Sequence, residues 1–324
     1  MTITRRDLLA LAAGGMVIGA APAWAAEETF PTRPVRIVVP FSAGGSADVT
    51  ARILADRLST RWGQPVVIEN KAGAGTTLGS AYVARAVPDG YTLYLAYNLS
   101  FAATATLYTN LAYDPLNDFT PISMVADAPF VLGVAKNVAA QDLSQFLALA
   151  RSGSMNFGST GAGAGPHLAT EMFLRQVGIK AAHVPFRGTN DVLTALLGGH
   201  VHFSFLDASA VGPLRSGDIR PLIVTSATRW SQLPDVPAAT EALKTEFTVT
   251  SGSCIMAPAK LPPPLVARLN DAITGELKHA EVKKRFADLG FVAVGSTPEE
   301  LAGKIRADIG RLGKLIRALG LRAN

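Results

Sequence analysis

Two rhythms of apolar and polar positions alternate along the chain. Val35-Arg36-Ile37-Val38-Val39 is an apolar run held between Pro34 and Pro40, and it predicts a buried strand. The loop Phe41-Ser42-Ala43-Gly44-Gly45-Ser46 then leads into a helix from about Ala47 to Thr60, with Val49, Ile53 and Leu58 near one face. The unit recurs with Val66–Glu69 as strand, Lys71–Gly75 as loop and Thr77–Arg85 as helix, and Pro88-Asp89-Gly90 turns into a strand over Tyr91–Leu95. Further on, a helix around Leu143–Arg151, a strand over Met155–Phe157, a glycine loop over Gly158–Gly165 and a helix from Pro166 to about Val177 repeat the pattern. Strands follow at Val201–Phe205 and Ile219–Thr225, and Pro262–Pro264 precedes a strongly helical C-terminal third. Strands alternating with helices predict an α/β fold with mainly parallel sheets flanked by helices.

The apolar, β-prone segments Ala128–Val134 and Val249–Ala257 are candidate crossings between two lobes. They divide the chain into residues 26–128 with 255–324 as lobe 1 and residues 129–254 as lobe 2. A single cut near Ala128 is the other reading.

Composition narrows the class. With 324 residues, 48% apolar and 17% charged, the chain has material for two cores and is neither disordered nor a coiled coil. One cysteine, Cys254, excludes an intrachain disulfide framework, and its apolar surroundings suit a buried small hydrophobe. At the N-terminus, Arg5-Arg6 precedes a mildly apolar run over Leu8–Ala21, and Ala23-Trp24-Ala25 supplies a small-x-small cleavage pattern. This resembles a twin-arginine export signal, an ordinary signal peptide being the alternative; both put a mature chain starting at Ala26 in the bacterial periplasm. The formal charge is +5, with Lys and Arg scattered, so neither charge pattern nor compartment favours nucleic acid. Lys283-Lys284-Arg285 predicts a solvated helix face.

The chemistry is concentrated in the glycine loops. A loop that joins a strand to a helix presents backbone N–H groups at the positive end of a helix dipole, which suits a carboxylate or phosphate. Ser42–Ser46 and Gly158–Gly165 both have this form, with Ser46, Ser159 and Thr160 adding hydroxyl donors and the glycines, Gly161 and Gly163 among them, leaving no side chain to block close approach. A tight turn is the plainer reading of the first loop, and a flexible connector that of the second. Gly73–Gly79 approximates a dinucleotide fingerprint but has a gap one residue too long, and its nearest acid, Asp89, sits in a turn. The five histidines form no convincing metal site, although His200 and His202 with His167 or His183 are the set to watch. There is no G-x-S-x-G elbow.

Several strings together resemble one family, the substrate-binding proteins of tripartite tricarboxylate transporters, or Bug-type solute receptors. They include Val39–Asp48, Val67–Gly75, Pro88–Leu93, Tyr113–Phe119, His183–Gly188, Leu233–Pro237 and Ala257-Pro258. The resemblance implies a two-lobed periplasmic binding-protein fold of type II-like form, no enzymatic activity and no cofactor. It implies a small carboxylated solute (dicarboxylate, aromatic acid or amino acid) held in the interlobe cleft. It also implies a monomer that serves membrane transporter components or a sensor kinase. By the same resemblance Phe41–Ser46 and Ser159–Ala164 grip the solute, and Asn98 and Asp207 line the pocket. Ala164 stands where relatives often carry Ser, and Gly252-Ser253 where an aromatic pair is common. The rival reading is an exported dinucleotide- or cofactor-dependent oxidoreductase.

Overall fold

The structure, a computed structural model, describes residues 30–186 and 188–323. The export signal, the start at Ala26 and Arg187 of the His183–Gly188 string lie outside the described residues.

In strand β1 (Val35–Val39) Ile37, Val38 and Val39 form an unbroken buried run and Val35 is also fully buried, only half-buried Arg36 reaching out to pair with Glu69. Such a continuous apolar run is what a strand covered by helices on both sides requires. After it come α1 (Ser46–Trp62), β2 (Val66–Asn70), α2 (Thr77–Ala84), β3 (Thr92–Tyr97), α3 (Asn98–Leu107) and β4 (Phe119–Asp127). The middle of the chain forms β5 (Val131–Ala135), α4 (Leu143–Ser152), β6 (Asn156–Ser159), α5 (Gly165–Val177), β7 (Ala182–Pro185) and α6 (Thr189–Leu197). It continues with β8 (Phe203–Leu206), α7 (Val211–Arg215), β9 (Ile219–Val224) and α8 (Ala239–Leu243). The last part forms β10 (Ser253–Pro258), α9 (Pro263–Leu277), α10 (Ala280–Asp288), β11 (Val292–Ala293) and α11 (Pro298–Leu319). Helix α11 shows its sequence signals plainly. Thr297 and Glu300 make a reciprocal capping box, Pro298 opens the first turn, and Gly320 ends the helix in the left-handed conformation.

Two sheets result, with strand orders β11-β4-β10-β3-β1-β2 and β7-β6-β8-β5-β9. Each contains a parallel block, β2-β1-β3 in one and β7-β6-β8 in the other. In both blocks the chain leaves the middle strand to one side and returns over it to the other, so β1 and β6 end at topological switch points. The remaining pairings are antiparallel: β10 with β3 and β4, β11 with β4, and β5 with β8 and β9. The sheets are therefore mixed. A strand that carries the chain out of a sheet, and the one that brings it back, must run in opposite senses.

The two connections between sheets lie side by side. Pro129 bridges Thr250, Ser251 N–H donates to Ala128 O (2.8 Å), and Val249 N–H donates to Thr225 O (3.0 Å). Thr225 Oγ1 accepts from Phe130 N–H at 2.8 Å, which fastens β9 to the first connection. Under the first sheet, Tyr94, Phe101, Tyr113 and Phe119 form a box of rings with centroids 5.1–6.2 Å apart. Cys254 lies in the same core, and burial pushes its thiol up to about 12, so it is an inert apolar neighbour. Phe146, Phe157, Phe173, Phe203 and Phe205 fill the space around the second sheet.

Candidate functional site

The first glycine loop is braced from behind. Asp48, in the first turn of α1 and 2% exposed, accepts from Gly44 N–H (2.9 Å), Asn70 Nδ2 (3.0 Å) and the Arg52 guanidinium (2.9 and 3.1 Å). Asn70 also donates to Phe41 O at 3.0 Å, tying the loop to the end of β2. Hydrogen bonding to Arg52 holds the Asp48 carboxyl down at about 2. Gly44 has φ +82 and needs the freedom of glycine; Gly45 has φ −78 and ψ 171, ordinary extended backbone, with only Ser42 O at 3.7 Å from a Cβ placed there. Ser42, Ala43, Gly44, Gly45 and Ser46 are exposed, Phe41 is half-buried, and no side chain caps α1. Its first-turn N–H groups therefore have no acceptor from a capping side chain.

The second loop follows β6 in the same way, and α5 likewise begins without a side-chain cap, at Ala164. Its residues divide by role. Ser159 is fully buried: its Oγ lies 2.6 Å from His183 Nε2 and accepts from Gly161 N–H at 3.2 Å. The hydroxyl expected to meet a solute is thus turned into the protein, because Ser159 is the last strand residue and its side chain falls on the β7 side. Gly163 (φ +77) donates its N–H to His167 Nδ1 at 2.9 Å, and the space a side chain would take is filled by Leu107 at the end of α3. The second loop therefore lies directly on a helix of the first sheet. Thr160 and Gly161 are half-buried, and Thr160 shares a crevice with Thr189, Val192, Leu206 and Asp207.

Asp207, at the end of β8, caps a single helical turn over Ala208–Ala210: Oδ1 accepts from Ser209 N–H (3.0 Å) and the Ser209 hydroxyl, and Oδ2 from Thr189 Oγ1 (3.3 Å). It acts electrostatically on Tyr97, which closes β3 in the other sheet. Tyr97 packs edge-on against Phe41 (centroids 5.5 Å, 80°) and places Oη 3.5 Å from Ser46 Oγ. Burial, with the negative charge of Asp207 adding to it, pushes the Tyr97 phenol up to about 12, so it is a neutral hydroxyl. The sequence reading missed Tyr97, although a polar-tipped aromatic closing an apolar strand beside a glycine loop is a usable signal.

Asn98 is a correction. It is 1% exposed, donates Nδ2 to Asp308 Oδ2 (2.9 Å) and accepts from Gly252 N–H at Oδ1 (2.9 Å). Its amide links α3, α11 and the second connection, and faces inward rather than toward a cleft. His200 is exposed and His202 bonds to Asn156, and no group of three metal-ligating side chains occurs among the described residues. The Gly73–Gly79 segment is a short turn leading into α2, with Gly79 packed on Pro40. Lys284 and Arg285 are solvated, paired with Asp288 and Asp56.

Comparison with known proteins gives this geometry a context. Residues 50–321 match the model of the tripartite tricarboxylate transporter family receptor. Protein BugT of Bordetella pertussis is 35% identical over 297 residues, covering 90% of this chain and 91% of BugT. Among solved structures, the periplasmic binding protein BugD superposes with a TM-score of 0.78 at 30% identity, covering 90% of this chain and 99% of BugD. MatC from Rhodopseudomonas palustris with bound malate gives a TM-score of 0.77 at 34% identity, covering 89% of this chain and all of MatC. These relatives are receptors and not enzymes, and the oxidoreductase reading finds no support among them. No described helix is long and apolar enough to cross a membrane. Two lobes of the periplasmic binding-protein fold, a match over most of the length and two glycine-rich strand-to-helix loops agree: the chain belongs to the tripartite tricarboxylate transporter receptor family.

Proposed function

We propose that this receptor captures a small solute bearing at least one carboxylate between loops Phe41–Ser46 and Thr160–Ala164, and passes it to the membrane components of a tripartite transporter. The observation that carries the reading is that α1 and α5 both start uncapped at the ends of the switch-point strands β1 and β6. Open α/β sheets bind ligands at such points, and each hydrogen bond from an N–H to a charged oxygen contributes about 1.5–3 kcal/mol. The malate bound in MatC is in keeping with an acid. Ser46, Tyr97 and Thr160 supply neutral hydroxyls around the carboxylate, and Asp207 faces the rest of the solute. Residues 26–128 with 255–324 act as one lobe and 129–254 as the other, in a monomeric mature chain that starts at Ala26.

The test is a thermal-shift and calorimetric panel of malate, succinate, adipate, benzoate and aspartate. At least one acid raises Tm, by an amount corresponding to about 2.7 kcal/mol at a hundredfold excess over Kd. Gly45→Val then loses affinity for that acid with an unchanged melting temperature, because the backbone there tolerates a side chain. Full affinity in that variant moves the solute elsewhere.

A further inference from the structure

Two imidazole rings lie face to face beneath the second glycine loop. His167 of α5 and His183 of β7 have ring centroids 3.9 Å apart with planes 9° from parallel, and Phe157 stacks on His183 at 4.9 Å. They meet because β7 pairs in parallel with β6, setting Phe157 opposite His183, while α5 returns from the loop that β6 feeds. Each ring holds one end of that loop: His183 Nε2 is 2.6 Å from Ser159 Oγ, and His167 Nδ1 accepts from Gly163 N–H at 2.9 Å.

The hydrogen bonding constrains the protons. Nδ1 of His167 accepts only while it is bare, so this 1%-exposed ring carries its proton on Nε2, 3.7 Å from Glu171 Oε1. A second proton sets donor against donor at Gly163 and a cation against the neighbouring ring. The titratable groups that act on His183 are His167 and Glu171; β6 contributes Phe157 and Ser159, which do not titrate in this range. Burial first, then His167, hold His183 down at about 4, with Glu171 opposing more weakly.

We propose that His167 and His183 are positioning residues for solute capture: stacked together, they hold Ser159–Gly163 in its binding shape, and protonation of His183 releases the loop and weakens solute binding. This rests on the reading of that loop as a solute contact. In the folded protein the held loop goes with the neutral His183 ring, so it is kept near neutral pH and is lost as pH falls through about 4.

The experiment follows the 15N-labelled protein by NMR from pH 8 to 3.5, together with calorimetric titration of malate, succinate, adipate, benzoate and aspartate at pH 7.5 and 4. The amide resonances of Gly161 and Gly163 move with the same midpoint as the histidine rings. Binding of the tightest acid falls about twofold more between the two pH values in the wild type than in the His167→Asn/His183→Gln double variant, because about half of His183 is protonated at the lower pH. That variant keeps an acceptor near each bonding position without titrating, and the acid's own protonation cancels in the comparison. Glycine amides that ignore the ring titration, or an equal pH loss in the double variant, overturn the proposal. If no acid binds at pH 7.5, the assignment of the loop as a carboxylate contact fails, and the glycine amides still decide whether the pair positions it.

Discussion

Asn98→Ala separates a residue that ties α3 and α11 to the second connection from one that touches solute. The side chain makes two buried hydrogen bonds, one to the Asp308 carboxylate and one from Gly252 N–H, both at 2.9 Å. Removing it leaves a buried N–H without its partner, at about 1–3 kcal/mol, and takes from Asp308 a charge-assisted bond of about 1.5–3 kcal/mol. Asp308 keeps Arg311 at 3.0 Å and Lys304 at 3.6 Å, which are partly exposed and absorb some of the loss. The net expectation is a destabilisation of about 3 kcal/mol, or roughly 4–6 °C in Tm for a chain of this size. Urea denaturation followed by circular dichroism reads the first quantity and scanning calorimetry the second. A loss below about 1 kcal/mol, accompanied by a tenfold drop in carboxylate affinity at saturable folded protein, refutes the reasoning and returns the amide to the pocket.

Three other substitutions probe the supports of the site. Asp48→Asn costs about 2 kcal/mol at pH 7, less than the full pKa shift because Arg52 is half exposed, and it loosens the first loop. The contribution of Asp48 is present above the ordinary carboxylate pKa and is lost as pH falls toward about 2, so the variant shows a flatter acid-denaturation profile. Thr225→Val strands Phe130 N–H at the lobe connection, and hydrogen exchange at that amide accelerates while stability drops by about 1–3 kcal/mol. Burial raises the Asp127 carboxyl, so its neutral form is favoured in the fold and its contribution is lost as pH rises; Asp127→Asn gives a higher Tm than wild type at pH 7.5, and a lower one refutes the assignment.

Much of the architecture was legible because single residues punctuate it. Pro34 and Pro40 bracket β1 to the residue, and Pro166 with its preceding glycines marks the start of α5. Helix α3 was not legible: Leu99, Phe101, Ala102, Ala103, Thr104 and Leu107 are all buried, so no polar stripe betrays the helical period. The loops were found by spacing, since a strand followed by glycines and a helix start is a local signal. Which side chains face outward was not, because Ser159 and Asn98 take their partners from β7 and α11, brought near only by the fold. The histidine pair is hidden for the same reason: nothing local relates His167 to His183 until β6 and β7 align in parallel.

Strand β10 sits between β3 and β4, which are not neighbours without it. A chain emerging from the ribosome therefore has every strand of the second sheet once Val224 is made, but the first sheet stays in two pieces until Ser253–Pro258 arrive. Over that interval one edge of β3 and both edges of β4 are bare ladders, open to pairing with other chains. Synthesis thus finishes first the lobe begun second, and the earliest residues wait for some of the last. Any holdase that accompanies this protein has its work defined by that delay, and a chain released before Ser253 carries a finished second sheet attached to an aggregation-prone half of the first.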